Sequence, residues 1–323
     1  MSQKTDIIKM PQRYKVTNWS QYNKSLNQRG SLEIWISNDI EETWYEQDRI
    51  NDGTGNPKQY TDTAIEVAYQ LKLCFHQALR QAEEFVNSLF RMRGLSIKCP
   101  DYTTLSRRCA LLNLKVKSKN LNKSKQDKED ENILALDSTG LKQYGKDEWH
   151  QEKHGANPKR TWRKVHVAVD ENNMIQAVSL TDKSTHDSEE VPRLLEQIDE
   201  SADRYIGDGA YDTKAVYDEI AKHNKTAKIV IPPRENAVMG ENWHSERSKS
   251  LDIIKERCRG AWSKMRKYGM QNRAELAILR YKKIIGNKMH SRELSRQKNE
   301  ASIAASILNV FTQMGMPTSV RIN

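Results

Sequence analysis

Three acids in this chain stand where an isolated charge is costly. Asp137 ends the apolar run "ILAL", and Asp208 follows "YI" and precedes Gly209, which lets the backbone turn and a ligand approach. Both fall where a short strand leaves a core. Neighbouring strands run about 4.8 Å apart, so carboxylates at two such ends can share one hard cation. Glu275 lies in "YGMQNRAELAILRYKKIIG", residues 268–286. At 100° per residue it falls between Ile278 and Leu279, on a stripe that also holds Ile285, the apolar face of a helix. An unpaired carboxylate there costs several kcal/mol or becomes neutral, so it is either paired or bound to a cation. A divalent ion shared with the two aspartates would meet that need. Mg²⁺ takes oxygen ligands and keeps waters for substrate phosphates, and Mn²⁺ substitutes for it readily. Tyr268, Glu275 and Lys282 stand seven apart, so they line one stripe if the helix reaches back that far. Lys282 is too distant from Glu275 for an ordinary i,i+4 pair.

Such side chains need a sheet and a covering helix. "ILAL", "RKVHVAV" and "MIQAVSL" read as three strands, the last two joined by the turn "DENN", with a helix near 187–198. "RYIGDGAYD" contains a short buried strand, "KAVYDEIAKHN" a helix whose N-cap is Asp212, and "KIVIPP" another strand. Strands first, then alternating strand and helix, predict an α/β fold with a mixed sheet covered on both faces. Residues 234–260 read as polar and irregular.

Upstream, residues 1–59 read as an arm, with a helix through Trp19, Tyr22 and Leu26 stopped at Gly30 and a strand alternating Leu32, Ile34 and Ile36. Helices are expected over 62–75, 78–92 and 101–112. The third, "DYTTLSRRCALL", is capped by Asp101 and carries Thr103, Thr104, Arg107 and Arg108 on its early turns. Hydroxyls and guanidinium groups so placed suit a DNA recognition helix, although a bundle with a solvated basic face has the same composition. Residues 115–131, "KVKSKNLNKSKQDKEDE", read as a solvated linker.

The chain has 323 residues, with 53 Lys+Arg against 43 Asp+Glu, a formal charge of +10 and a pI near 9.2. That field favours a polyanion such as nucleic acid. Lys159, Arg160, Arg163 and Lys164 surround Trp162 in "NPKRTWRK", a composition suited to a DNA backbone track. His150 and His154 in "HQEKH" have helical metal-ligand spacing, but Gly155 and Pro158 favour a loop with ordinary surface histidines. Cys74, Cys99, Cys109 and Cys258 form no C-x-x-C pair and read as reduced, which points to a cytoplasmic protein. No long apolar run suggests a membrane span or an export signal.

"LDSTGLK", "HGANPKRTWRKVHVAVDENN", "THDSEEVPRLLEQI", "IGDGAYD" and "Y…E…LRYKKIIG" together resemble, in order, the landmarks of DDE transposases of bacterial insertion sequences, specifically the insertion-sequence-five family. "YKVTNWSQYN" and "YTDTAIEVA" extend the resemblance to the N-terminal part. It implies a ribonuclease-H-like catalytic domain in which Asp137, Asp208 and Glu275 are the catalytic and metal-binding triad. It also implies a Tyr-Arg-Glu-Lys signature at Tyr268, Glu275 and Lys282, with Gln271 where the arginine belongs and Arg273 close by. The organisation expected is an arm (1–59), a helix-turn-helix-like DNA-binding domain (60–114), a linker (115–131), the catalytic domain (132–290) and a helical tail (291–323). The activity expected is Mg²⁺-dependent cleavage and strand transfer of double-stranded DNA at terminal inverted repeats and a target. The protein would act as a homodimer on DNA, at the bacterial nucleoid and away from membranes. A transposase-derived DNA-binding regulator that does not cut is the alternative.

Overall fold

The computed structural model describes residues 13–47, 59–116, 131–143, 162–240 and 243–322. His150, His154, Lys159, Arg160 and most of the expected linker lie outside these residues.

Five strands form one sheet: β2 (Ile133–Lys142), β3 (Trp162–Asp170), β4 (Ile175–Asp182), β5 (Arg204–Ile206) and β6 (Lys228–Val230). Their order is β4-β3-β2-β5-β6, antiparallel from β4 to β2 and parallel from β2 to β6. That mixed sheet, flanked by helices, fits a ribonuclease-H-like fold. The β3–β4 turn forms as expected at "DENN". Asp170 Oδ1 accepts from the backbone N–H groups of Asn172 and Met174, both at 2.8 Å, and Asn173 takes the left-handed conformation at φ 62° that asparagine tolerates.

The sheet separates two apolar layers. Leu134 and Leu136 face a core with α6 (Val191–Leu195) and α7 (Lys214–His223), whereas Ala135, Val165 and Val167 face the opposite one. That second layer contains α10 (Asn272–Arg280) and α11 (Leu294–Met314). Far from being a tail, α11 is the central helix. Ile303, Ala304, Ala305, Ile307 and Leu308 are all fully buried, and each of the isoleucine and leucine side chains contributes about 1.5–3 kcal/mol on leaving water. Asn309 binds the start of β4 like a neighbouring strand, giving Nδ2–H to Ile175 O and accepting from Ile175 N–H, both at 2.8 Å.

The same layer absorbs the upstream helices. α3 (Asp62–Cys74), α4 (Leu79–Met92) and α5 (Tyr102–Leu111) occupy the expected spans, but Ile65, Phe90 and Leu105 share one continuous core with the sheet and α11. Arg296 donates to Ser106 O at 2.9 Å and Asn299 to Cys109 O at 2.7 Å, fixing α5 to α11. Residues 60–114 therefore do not pack as an independent domain.

Two further expectations change. α1 (Trp19–Gln28) forms, but residues 32–36 make turns instead of a strand, because Trp35 and Ile36 plug the helical core beside α2 (Ile40–Trp44). Residues 234–260 are not irregular throughout. They contain α8 (Ser245–Glu256) and open α9 (Arg259–Met265), and ion pairs of Glu246 with Lys249 and Arg266 hold a segment that lacks a clear apolar stripe. β1 (Arg13–Val16) and β7 (Ser319–Ile322) form a separate two-stranded ribbon.

Candidate active site

The register sets the first two acids side by side. Ala135 pairs with Ile206 across the parallel β2–β5 ladder, so Asp137 and Asp208 lie equally far beyond that pair. A Cβ on Gly207 would stand 2.9 Å from the Tyr211 ring, so the turn leading to Asp208 requires glycine. Asp208 Oδ1 then accepts from Ala210 N–H at 2.8 Å, capping a single 3₁₀ turn, Gly209–Tyr211. Asp137 Oδ1 accepts from Ser138 N–H at 2.7 Å.

Burial pushes the Asp137 carboxyl up to about 6, and the charges of Asp208, Glu275 and Asp187 push the same way. Tyr268 is raised by burial, then by Asp208, Glu275 and Asp137. The three predicted acids thus act electrostatically on one place, and among the described residues none of them enters a salt bridge. They are not closed around an ion, for the described residues hold no group of three or more His, Cys, Asp or Glu side chains near enough to grip a metal. As a donor set they suit a hard divalent cation, being oxygen ligands whose mutual repulsion lacks a counter-charge.

Glu275 reaches this place differently from expectation. Ala274, Ala277 and Arg280 form the buried face of α10, and Glu275 is exposed, with Leu279 beside it 48% exposed. Its charge is tolerated because water reaches it. The long helical stripe does not form either. Tyr268 belongs to a 3₁₀ turn, Tyr268–Gln271, and half-buried Lys282 to a π-helical segment, Tyr281–Ile285. Tyr268 packs on Trp262 with ring centroids 5.2 Å apart. Gln271 is 4% exposed and donates to Leu136 O at 2.8 Å, so it faces the sheet instead of solvent. Arg273 donates to Asn173 Oδ1 at 3.2 Å, at the β3–β4 turn, and does not replace the missing arginine beside the acids.

Comparison with known families decides the kinship. Two family models, each described as a transposase DDE domain, match residues 27–146 and 128–310. The chain belongs to the DDE transposases. The second match covers more than half of the chain and includes Asp137, Asp208 and Glu275. DDE transposase domains generally use divalent metal ions, in keeping with the donor set here. The first match runs through the upstream helices, which agrees with their sharing the core of the sheet in this transposase.

Several residues around the acids escaped sequence reasoning. Asp187 Oδ1 accepts from Ser138 Oγ and from Lys164 Nζ, each at 2.8 Å, and those bonds hold its carboxyl below the usual range against the opposing effect of burial. His166, fully buried, is lowered by burial and bonds Thr181 Oγ1 at 2.8 Å. Among the described residues the hydroxyl of buried Tyr211 has no hydrogen-bond partner, and burial, then Asp187, Asp137 and Asp208, raise it. The available signal was the alternation in β3, which puts Lys164 and His166 on one face opposite Ser138. Asp212 is no helix cap. It is buried and ion-paired with Arg247 at 2.8 Å, and Thr213 takes the cap position.

The proposed DNA contacts fare unequally. Arg163 pairs with Asp182 and donates to Gln297 Oε1 at 2.9 Å, and Lys164 is committed to Asp187 and Thr185 O, so neither presents a free backbone track. On α5, Thr103 and Thr104 give their hydroxyls to Asp101, and Arg108 is buried against Tyr60 O at 2.8 Å and Asp62. Arg107 is exposed, with its guanidinium held only loosely, 3.5 Å from Thr104 Oγ1.

The four cysteines are free thiols. Burial pushes Cys74 and Cys99 up to about 12 and Cys109 up to about 11, as structural thiols require. Among the described residues no helix is long and apolar enough to cross a membrane.

Proposed function

We propose that the protein is an active insertion-sequence transposase that binds the terminal inverted repeats of its element, cleaves phosphodiester bonds there and joins the ends to target DNA. The observation carrying this reading is the charge coupling of Asp137 and Asp208, two residues beyond the last pair of the parallel β2–β5 ladder, with Glu275 on α10, in a DDE transposase chain. Asp137, Asp208 and Glu275 would hold divalent cations, Mg²⁺ or Mn²⁺. When bound, such ions supply the positive charge that polarises a phosphodiester and activates first a water and then a DNA 3′-hydroxyl.

The remaining residues act around that centre. Tyr268, half-buried on Trp262 at the edge of the acids, contacts the strand near the scissile position, and Lys282 holds a phosphate. Ser138, Lys164 and Asp187 hold β2 from the opposite face. Two copies acting together on paired ends would satisfy the need to join both. Gln271, buried and bonded to Leu136 O, is the one residue that favours a binding-only regulator, and the intact Asp137, Asp208 and Glu275 weigh against that alternative.

Asp208→Asn tests the reading. Cleavage of an end-containing duplex in Mg²⁺ should be abolished, while a gel shift of the same duplex stays close to wild type. Equal loss of both would make Asp208 structural, and retained cleavage would remove it from the site.

A further inference from the structure

Far along the chain from the acids, β1 and β7 build a ribbon in which Arg13 pairs with Ile322, Tyr14 with Arg321, Lys15 with Val320 and Val16 with Ser319. Every residue except half-buried Val16 is exposed, including Tyr14 at 60%, Val320 at 46% and Ile322 at 42%. Directly paired residues share a face, so Arg13 and Lys15 stand beside Val320 and Ile322, with Tyr14 and Arg321 on the reverse. The eight residues include three cations and no acid.

A two-stranded ribbon this short is marginal alone, yet its root is firmly tied. The Asn18 side chain donates to Met316 O at 3.0 Å and accepts from Thr318 N–H at 2.7 Å. Thr17 N–H donates to Thr318 O at 2.8 Å, and Arg29 to Gly315 O, also at 2.8 Å. The root continues from α11, whose Thr312 hydroxyl accepts from Arg280 of α10 at 2.7 Å. The ribbon is thereby anchored to the helix that carries Glu275.

We propose that the β1–β7 ribbon is a DNA-binding element that enters a groove of the duplex, with Arg13, Lys15 and Arg321 contacting phosphates. A two-stranded ribbon is one of the elements the major groove admits, and its cations complement the backbone. A second copy fits less well, because an isologous pairing of ribbons through the apolar face of Val320 and Ile322 would bring Arg13 and Lys15 against their own copies. The inference rests on DNA being the substrate, but not on any role for the acids or for α5.

The test uses the full chain with Arg13, Lys15 and Arg321 all changed to Gln, titrated against a fluorescent mixed-sequence duplex across a salt series in EDTA, where metal-dependent cleavage cannot contribute. The slope of log affinity against log salt should fall by roughly one per phosphate contact, about 2–3 in all, with the melting temperature unchanged. An unchanged slope and affinity would overturn the proposal. Absence of any salt-dependent binding by the wild type would instead sink the DNA reading on which it rests. A benzophenone amino acid at position 14 gives an independent readout. Crosslinks to DNA support the proposal, and crosslinks only to a second copy refute it.

Discussion

Asp137→Asn should make the metal-free protein more stable at neutral pH while destroying catalysis. Burial, reinforced by Asp208, Glu275 and Asp187, lifts the Asp137 carboxyl from 3.8 to about 6. Its charged form is therefore a liability in the folded state. Two pH units at ~1.4 kcal/mol each set a ceiling of ~3 kcal/mol, and solvent screening at a partly open site reduces this to ~1–2 kcal/mol. Asparagine keeps the acceptor for Ser138 N–H and removes the charge. With 323 residues, a gain of that size raises the melting temperature by ~2–3 °C.

The pH dependence follows from the raised value. Between pH ~4 and ~6 the folded state holds a proton at Asp137 that the unfolded chain has released, so wild-type stability in EDTA falls as pH rises through that window. Below it Asp137 is neutral in both states and the variant loses its advantage. Melting curves in EDTA at pH 4 and pH 7.5 should show a gap only at the higher pH. Mg²⁺ at pH 7.5 should raise the wild-type transition more than that of the variant. A variant equally or less stable at pH 7.5, or a gap independent of pH, would refute the claim that Asp137 is an unpaired, desolvated charge.

Other consequences separate fold from function on neighbouring residues. Arg108→Ala removes hydrogen bonds to Tyr60 O and Asp62 and should cost about 1–3 kcal/mol in denaturant titrations. Arg107→Ala should stay within about 0.5 kcal/mol by the same measure and, if α5 touches DNA, lower only affinity. Gln271→Met should leave DNA affinity unchanged and reduce cleavage, because the lost bond to Leu136 O positions α10, not DNA. Asp187→Asn frees Lys164 and weakens the hold on Ser138, so cleavage should fall with gel-shift affinity retained. A variant that cuts like wild type would exclude a positioning role.

β2 does not end at Asp137 as expected but runs on to Lys142, because β3 pairs with it from Leu134 to Lys142. The end of β5 was legible, for an apolar run followed by an acid that Gly207 and Gly209 flank marks where a strand leaves its core. The orientation of Glu275 was not. Ile278 and Leu279 dominate a hydropathy reading of α10, but the helix packs through Ala274 and Ala277, whose small side chains let it approach the sheet closely. The central role of α11 was missed for a related reason. "SIAASILNVF" is apolar all round, and such a helix belongs inside a layer and not at its edge. Arg108 shows the limit of composition as a guide, since nothing in "TTLSRR" tells an arginine that meets DNA from one that meets Asp62.

The site depends most on register. In β2, Asp137 shares a face with Ala135, toward α10, while Leu136 and Ser138 face the other layer. A slip of one residue would exchange Asp137 for Ser138 and remove the acid from Glu275. Bonds from both sides oppose that slip. Ser138 Oγ is tied to Asp187 on one face, and on the other the Gln271 amide grips Leu136 O one residue before the acid. Four residues along α10 from that grip, about 6 Å of helical rise, comes Glu275. A buried glutamine at position 271 thus fixes how far the third carboxylate stands from the first, a geometric role that does not require its side chain to reach DNA.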